Sequence, residues 1–308
     1  MAKCIVFGGD GFVGSRLVTE LLLKGHNVSV FGRREGIGEI NQDVNYIYGD
    51  FLNKADVSGA VRGQEYVFHF TTLTNPAVSN NDPYIDIETN VKMTIGLLES
   101  CVDNGVKRII FPSSGGSIYG DNGREVSSED DPTMPVSPYA IGKQSIEGYL
   151  RFFDQKHDLD YLVLRISNVY GPGQRTTGSK HGVISVFMDS MLKGKPVNVY
   201  GDGSMVRDYV YVDDLAALIA DMSFKETNYK TYNVGSSEGV TVSEIIRELE
   251  TVLQIKTEKT YLDAPSTYVS KIVLDCSRIK DEFGVFSKTT LRQGMIKLSR
   301  KLEKEKLR

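Results

Sequence analysis

The chain has 308 residues, 40% of them hydrophobic, enough to fill one large or two modest cores, which excludes a disordered protein. Its formal net charge of -4 leaves no basic surplus, so nucleic acid and anionic membranes are not expected as main partners, and an anionic ligand would have to meet local cations. The three cysteines, Cys4, Cys101 and Cys276, are widely spaced, odd in number and lack metal-ligand spacing; they read as reduced core thiols, with no metal site.

The N-terminus enters the apolar run Ile5-Val6-Phe7 with no basic segment leading a signal-like stretch, and no apolar run reaches the length of a membrane span. A cytoplasmic protein is expected. The run leads into Gly8-Gly9-Asp10-Gly11-Phe12-Val13-Gly14, followed by an amphipathic stretch from Ser15 to Leu23 with Leu17, Val18, Leu21 and Leu22 on one face. Glycines three apart at a strand-to-helix turn suit a dinucleotide site: Gly8 makes the turn, Gly11 lets backbone approach a pyrophosphate, and Gly14 packs helix on strand. The helix opened by Phe12 and Val13 offers unpaired N–H groups to an anion. A glycine-rich turn in an ordinary βα unit is the plainer alternative; the second strand, Val28 to Phe31 after Gly25, favours the dinucleotide.

That second strand runs into Gly32-Arg33-Arg34, with Gly32 where an acid would bind the ribose 2′-hydroxyl of NAD. Arg33 and Arg34 could face a 2′-phosphate, which leans the choice between NAD and NADP slightly toward NADP; as solvated surface arginines they would say nothing. A third strand, Val44 to Tyr48, ends at Gly49-Asp50-Phe51, where Asp50 could accept from an adenine amino group or cap a helix. A fourth, Tyr66 to Phe70, leads into Thr71-Thr72-Leu73, at a strand end where open α/β sheets bind ligands. Phe51 and Thr71 join the candidate cofactor set. A long helix is expected from about Asp86 to Asn104, carrying Asn90 as a satisfied core amide or the holder of a water near the site.

The fifth strand, Lys107 to Phe111, opens into Pro112-Ser113-Ser114-Gly115-Gly116-Ser117-Ile118-Tyr119-Gly120, hydroxyls and glycines suited to touching a small substrate. The acidic stretch with Glu129, Asp130 and Asp131 reads as a solvated loop. A helix begins at Pro138, capped by Ser137. Tyr139 and Lys143 are four apart on it and share a face; among 16 tyrosines this is the only one followed four residues later by a lysine. A phenol is a poor base at neutral pH, but a nearby ammonium and a cationic nicotinamide would favour phenolate, and the same lysine could hold the nicotinamide ribose.

A sixth strand, Tyr161 to Ile166, runs into Ser167-Asn168-Val169-Tyr170-Gly171-Pro172-Gly173-Gln174, after which glycine-rich loops alternate with short helices. The domain boundary is placed here: 1–170, with a later segment near 205–228 returning to it, and 171–308. Gly201 to Ala216 reads as a turn, a short strand and a capped helix. Within it Arg207 could fork onto a diphosphate or pair with Asp208 or Asp213. A helix from Val242 to Leu253 follows, and the tail from Lys297 to Arg308 reads as a frayed, solvated helix.

Together GGDGFVG, VFHFTT, SSGGSIYG, SPYAIGK, LRISNVYGPGQ and GDGSMVRDYVYVDDLA resemble, in this order, the extended short-chain dehydrogenases/reductases of the NAD-dependent epimerase/dehydratase type, most of all UDP-sugar 4-epimerases. The resemblance is strong to about Asp214 and weaker beyond. It implies an α/β fold: a Rossmann-type doubly wound parallel sheet with a smaller α/β C-terminal substrate domain that binds a nucleotide-sugar. Tyr139 would be the acid/base and Lys143 its electrostatic partner, while Asn168 and Arg207 would contact the substrate diphosphate. Gly115 stands where the family usually has Ser or Thr, so Ser117, or else Ser114, would supply the third catalytic hydroxyl, with Ser117 also touching substrate. An arginine and an aspartate common in relatives are absent near Pro265-Ser266-Thr267-Tyr268, which leaves the nucleotide open. Homodimers through the helices containing Asn90 and Tyr139 are also implied.

The implied reaction is oxidation and re-reduction at sugar C4 through a 4-keto intermediate, with no net use of cofactor. A 4,6-dehydratase would need an acid and a base in SSGGSIYG, which has neither Asp nor Glu. An NADPH-dependent reductase of 4-keto-sugar nucleotides is the main alternative. A non-catalytic dinucleotide-sensing module would be expected to have lost the Tyr–Lys pair.

Overall fold

The computed structural model describes residues 1–33, 44–176, 182–264 and 269–306. The chain divides into two compact units: Met1–Ser114 with Ser137–Arg165 and Ala216–Tyr232, and Gly115–Val136 with Ile166–Leu215 and Asn233–Arg308.

To residue 114 the elements are β1 (Lys3–Phe7), α1 (Phe12–Leu23), β2 (Asn27–Gly32), β3 (Asn45–Tyr48), α2 (Lys54–Val61), β4 (Tyr66–His69), α3 (Pro76–Asn81), α4 (Pro83–Asp86), α5 (Lys92–Asp103) and β5 (Arg108–Ser114). The short α6 (Gly115–Ile118) precedes α7 (Pro138–His157) and β6 (Asp160–Ile166). Then come β7 (Asn168–Tyr170), α8 (Val183–Leu192), β8 (Val197–Tyr200), β9 (Val206–Tyr211), α9 (Val212–Met222) and β10 (Thr231–Val234). The chain continues with β11 (Gly239–Thr241), α10 (Val242–Leu253), β12 (Lys259–Leu262), β13 (Lys271–Ile272), α11 (Ser277–Phe283) and α12 (Leu291–Lys306).

The first unit is built on a seven-stranded sheet in the order β10-β6-β5-β4-β1-β2-β3. It is the Rossmann-type doubly wound arrangement: β1 pairs in parallel with β2 on one side and β4 on the other, so the winding reverses at β1. Ligands of open α/β sheets bind at the carboxyl ends of the strands at such a reversal. Parallel strands covered on both faces read as continuous apolar runs, and Cys4, Ile5, Val6 and Phe7 of β1 are all fully buried. Helix α1 buries Leu17, Val18 and Leu21 against this sheet. The expected single helix from Asp86 to Asn104 is instead α4, a π-helical turn over Ile87–Val91, and α5.

In the second unit β9 pairs with β7, β11 and β13, and β8 pairs with β12. One hydrophobic cluster joins Ile184 and Met188 of α8, Ile245 and Ile246 of α10, and Met295 and Leu298 of α12. This corrects the expectation of a frayed, solvated tail from Lys297: Leu298 is buried and Leu302, four residues on, packs against the same cluster, while Lys297 and Lys304 are exposed. The acidic loop is also corrected in part. Asp130 is exposed and pairs with Arg278, but the Glu129 side chain is 4% exposed and accepts a hydrogen bond from the Asn233 N–H at 2.7 Å. The three cysteines are buried and free. No helix among the described residues is long and apolar enough to cross a membrane.

Candidate active site

At the carboxyl end of β1 the chain turns through Gly8, whose φ is +81°. A Cβ there would lie 2.8 Å from the Phe70 carbonyl carbon, and one on Gly14 would drive into the Gly8 carbonyl oxygen. Gly11 is the N-cap of α1 and brings no side chain over the helix terminus, where Phe12 and Val13 begin the first turn and no acidic residue stands. Bare backbone, free helix N–H groups and the positive end of a 12-residue helix are what a pyrophosphate requires, so these residues fit a dinucleotide.

The edge of this cradle differs from the sequence expectation. Gly32 closes β2, and the place of its missing side chain is occupied by the Tyr46 hydroxyl and the Asp10 carboxylate. Arg33 is exposed; Arg34 lies outside the described residues. Asp50 accepts from the Leu52 N–H at 3.0 Å, and the cap of α2 is Asn53 rather than Asp50. The Phe51 ring is core, packed on Phe7 and His69, so any ligand contact from Phe51 would fall to its main chain.

Helix α7 starts as its sequence dictates. Ser137 accepts from the Ala140 N–H, Pro138 occupies the first turn, and Ser79 of α3 accepts from the Tyr139 N–H at 3.1 Å. Tyr139 and Lys143 then line one pocket with Thr71, Thr72, Asp86 and Asn90. Lys143 is 8% exposed; its ammonium donates to the Pro112 carbonyl at 2.8 Å and lies 4.4 Å from the centre of the Phe111 ring. Burial pushes this lysine down to about 8, against the opposing pull of the Asp86 and Glu147 carboxylates. One turn on, Glu147 pairs with Arg165 of β6 at 2.8 Å and accepts from Ser113 of β5, anchoring α7 to the sheet.

The Tyr139 phenol is held up at about 12, first by burial and then by the Asp86 carboxylate. These side chains alone therefore keep it protonated at neutral pH, with the Lys143 ammonium 5.8 Å from the phenol ring centre; the expected phenolate relied on a cationic nicotinamide as well as on the lysine. A further positive charge is needed there.

Asp86 is 2% exposed and accepts from Thr74 and, at 2.8 Å, from the Asn90 amide. That amide also donates to Thr74 at 2.6 Å and accepts from the Leu73 N–H at 3.0 Å, so Asn90 is satisfied by protein groups. Below them His69 shares a 2.8 Å hydrogen bond with Thr94, whose hydroxyl donates to the Asn90 carbonyl; Nε2 therefore carries the proton. Burial pushes this histidine down to about 3, so it is neutral throughout the working pH range.

Ser114 ends β5, and Ser117 lies on α6; both are half-buried. In the second unit Asn168 and Arg207 line one cavity of about 400 Å³ with Ser167, Gln174 and Tyr209. The Asn168 amide donates to the Asp208 carbonyl at 3.2 Å, and the Arg207 guanidinium donates to the carbonyls of Val206 and Val269 at 2.7 Å each. The Asp208 carboxylate instead accepts from the N–H groups of Ser236, Ser237 and Leu274.

The sequence pattern of the NAD dependent epimerase/dehydratase family matches residues 4–235. The chain belongs to that family. It is 31% identical over 304 residues to the UDP-glucose 4-epimerase of Mycolicibacterium smegmatis, covering 96% of each chain. It is also 30% identical over 304 residues to the dTDP-4-dehydro-6-deoxyglucose reductase of Escherichia coli, covering 96% of this chain and 95% of that one. Among solved structures it is similar to the Thermus thermophilus UDP-glucose 4-epimerase in complex with NAD, with a TM-score of 0.90, 32% identity and coverage of 97% and 98%. These likenesses identify an enzyme of the extended short-chain dehydrogenase/reductase type.

Against this epimerase/dehydratase frame, the residues that sequence reasoning missed are Asp86 and Asp10. Two signals for Asp86 were present: it lies four residues before Asn90, and Gly142 interrupts the otherwise good helix former sequence of α7 beside Lys143. Asp10 had none, because the position it reaches belongs to a different strand.

Proposed function

We propose that the protein is a nucleotide-sugar 4-epimerase acting on a UDP-hexose or a UDP-N-acetylhexosamine through a transient 4-keto sugar, with a tightly held nicotinamide dinucleotide. The observation that carries this is Tyr139 and Lys143 on one face of α7, in a pocket shared with the polar end of β4, in the unit that also holds the glycine cradle. The UDP-glucose 4-epimerase relatives support it.

When bound, an oxidised nicotinamide supplies a hydride acceptor and a positive charge beside the phenol. Tyr139 then takes the proton of the sugar 4-hydroxyl and returns it after the ketone has turned over in the site. Lys143, held over Phe111, opposes the negative charge on the phenolate and would hold the nicotinamide ribose when the cofactor is bound. Ser117, with Ser114 as the other candidate, hydrogen-bonds the sugar 4-oxygen. Asn168 and Arg207 hold the diphosphate; the guanidinium's fork matches phosphate oxygens. Gly8, Gly11, Phe12 and Val13 hold the pyrophosphate of the dinucleotide, with Asp50, Phe51 and Thr71 along its length.

A homodimer is part of the proposal. Tyr84 of α4 is 75% exposed, Ile87 59%, and Ile141 and Phe152 of α7 about half, an apolar set on the helices that carry the site.

One specific observation favours a second function, the reduction of a 4-keto sugar nucleotide: the 30% identity to the Escherichia coli reductase over nearly the whole chain. The two separate in a single assay. The epimerase interconverts UDP-glucose and UDP-galactose, or their N-acetylated forms, with no net change in absorbance of reduced nicotinamide. Stoichiometric loss of NADPH or NADH with turnover would overturn the epimerase and establish the reductase; dinucleotide binding with no turnover of any nucleotide-sugar would establish a sensing module.

A further inference from the structure

We infer that Asp10, next to Tyr46 in the space beside Gly32, is the residue that reads the adenosine ribose and selects NAD over NADP. This rests on the glycine turn being a dinucleotide site. Strand β2 ends without the acid that usually accepts from the ribose 2′-hydroxyl, and two other side chains reach into the space that acid would use. A Cβ at position 32 would lie 2.5 Å from the Tyr46 hydroxyl and 3.2 Å from Asp10 Oδ2. The space is filled from two sides, by β3 through Tyr46 and by the glycine turn through Asp10.

A carboxylate is thus present at the carboxyl end of β2, although it comes from a different element. Register fixes it there. Phe7 of β1 pairs with Phe31 of β2, the Gly8 N–H donates to the Phe31 carbonyl at 3.4 Å, and Gly11 donates back to Gly8 at 3.0 Å. Asp10, between Gly9 and Gly11, therefore has its main chain tied to the end of β2. Its carboxylate lies beside the Tyr46 phenol, which donates to the Arg33 carbonyl at 3.3 Å and is held up at about 12, chiefly by burial and then by the Asp10 charge. The phenol's one proton goes to the Arg33 carbonyl, which leaves the lone pairs of the Asp10 carboxylate to accept from a ligand.

The two dinucleotides differ only at the ribose 2′-oxygen. A 2′-hydroxyl donates to a carboxylate, and hydrogen bonds to charged groups are the stronger kind. A 2′-phosphate brings no proton to share at neutral pH and sets like charges together. Arg33 is exposed at the same edge and would favour the phosphate, so the balance between Asp10 and Arg33 decides the cofactor; Asp10, in the turn itself and tied to the end of β2, outweighs a solvated arginine.

The test is titration calorimetry of the cofactor-stripped protein with NAD and NADP separately, on wild type, Asp10→Asn, Tyr46→Phe and Arg33→Ala. Wild type should bind NAD at least about tenfold more tightly than NADP, and Asp10→Asn should shift that ratio toward NADP by roughly tenfold or more. Tyr46→Phe should shift it the same way by less, and Arg33→Ala should weaken NADP alone. Preference of wild type for NADP, or an unchanged ratio in Asp10→Asn, would overturn the assignment while leaving the dinucleotide site standing. Binding of neither dinucleotide by wild type would overturn the site itself. Mass spectrometry of what the purified wild type releases on denaturation needs no variant: NAD supports the assignment and NADP overturns it.

Discussion

The carboxylate of Asp86 stands inside the space that a Cβ on Gly142 would need. Helix α7 passes its bare backbone over a buried charge, one residue before Lys143 and three after Tyr139. The glycine is required by the neighbour and not by its own backbone, which is helical.

Gly142→Ala should therefore destabilise the protein although alanine is the better helix former by about 1 kcal/mol. Overpacking against a buried, hydrogen-bonded carboxylate should cost roughly 1–3 kcal/mol net and displace Tyr139 and Lys143. Chemical denaturation and the rate of nucleotide-sugar interconversion check this; a stabilised variant with normal rates would refute it.

Asp86→Asn keeps the volume and removes the charge. The Asp86 carboxylate raises both Tyr139 and Lys143, so its loss lowers both. The acid limb of the kcat/KM profile, which reports the phenol, and the alkaline limb, which reports the lysine, should both move to lower pH. A fall in rate with an unmoved profile would mean that Asp86 only supports the packing.

Tyr139→Phe should lower kcat by about 10²- to 10⁴-fold, the range for loss of a general acid/base, while the dinucleotide affinity stays close to wild type. Steady-state kinetics together with calorimetry separate the two quantities. Substantial residual rate would remove Tyr139 from the chemistry.

Burying the Lys143 ammonium has a signature in stability. Its value falls from 10.5 to about 8 on folding, so between those limits the unfolded chain keeps a proton that the folded chain has released. Stability contributed through this group therefore rises with pH across that window, by roughly 3 kcal/mol in all. Denaturant unfolding at pH 7 to 10 should show wild type gaining on Lys143→Met; parallel curves would refute the burial cost.

Much of this was legible in the sequence because it is written in local pattern. The three glycines, the apolar strands and the Ser137-Pro138 start of α7 each carry their own signal within a few residues. Helix α10 was predicted from Val242 to Leu253 and is found with those bounds. What sequence alone could not give depends on residues far apart. Asp10 meets Tyr46 only because β1, β2 and β3 lie side by side, Asp86 meets Gly142 only because α4 packs on α7, and Lys143 turns to Pro112 because β5 runs beneath it. The tail was misjudged because its lysines outnumber its core residues, although Leu298 is fully buried and Leu302 packs beside it.

The π-helical turn over Ile87–Val91 is a helix carrying one residue more than a regular α-helix would need. Each residue advances the helix by about 100°, so the surplus residue sets the phase of everything before it relative to α5. Deleting one residue from 87–89 would make the helix regular and swing Asp86 by about 100° relative to α5, away from Gly142. In this protein a longer helix segment is the shim that brings a carboxylate beneath the face of α7 that carries Tyr139 and Lys143, and an alignment that treats the surplus residue as a harmless insertion would put Asp86 on the wrong side.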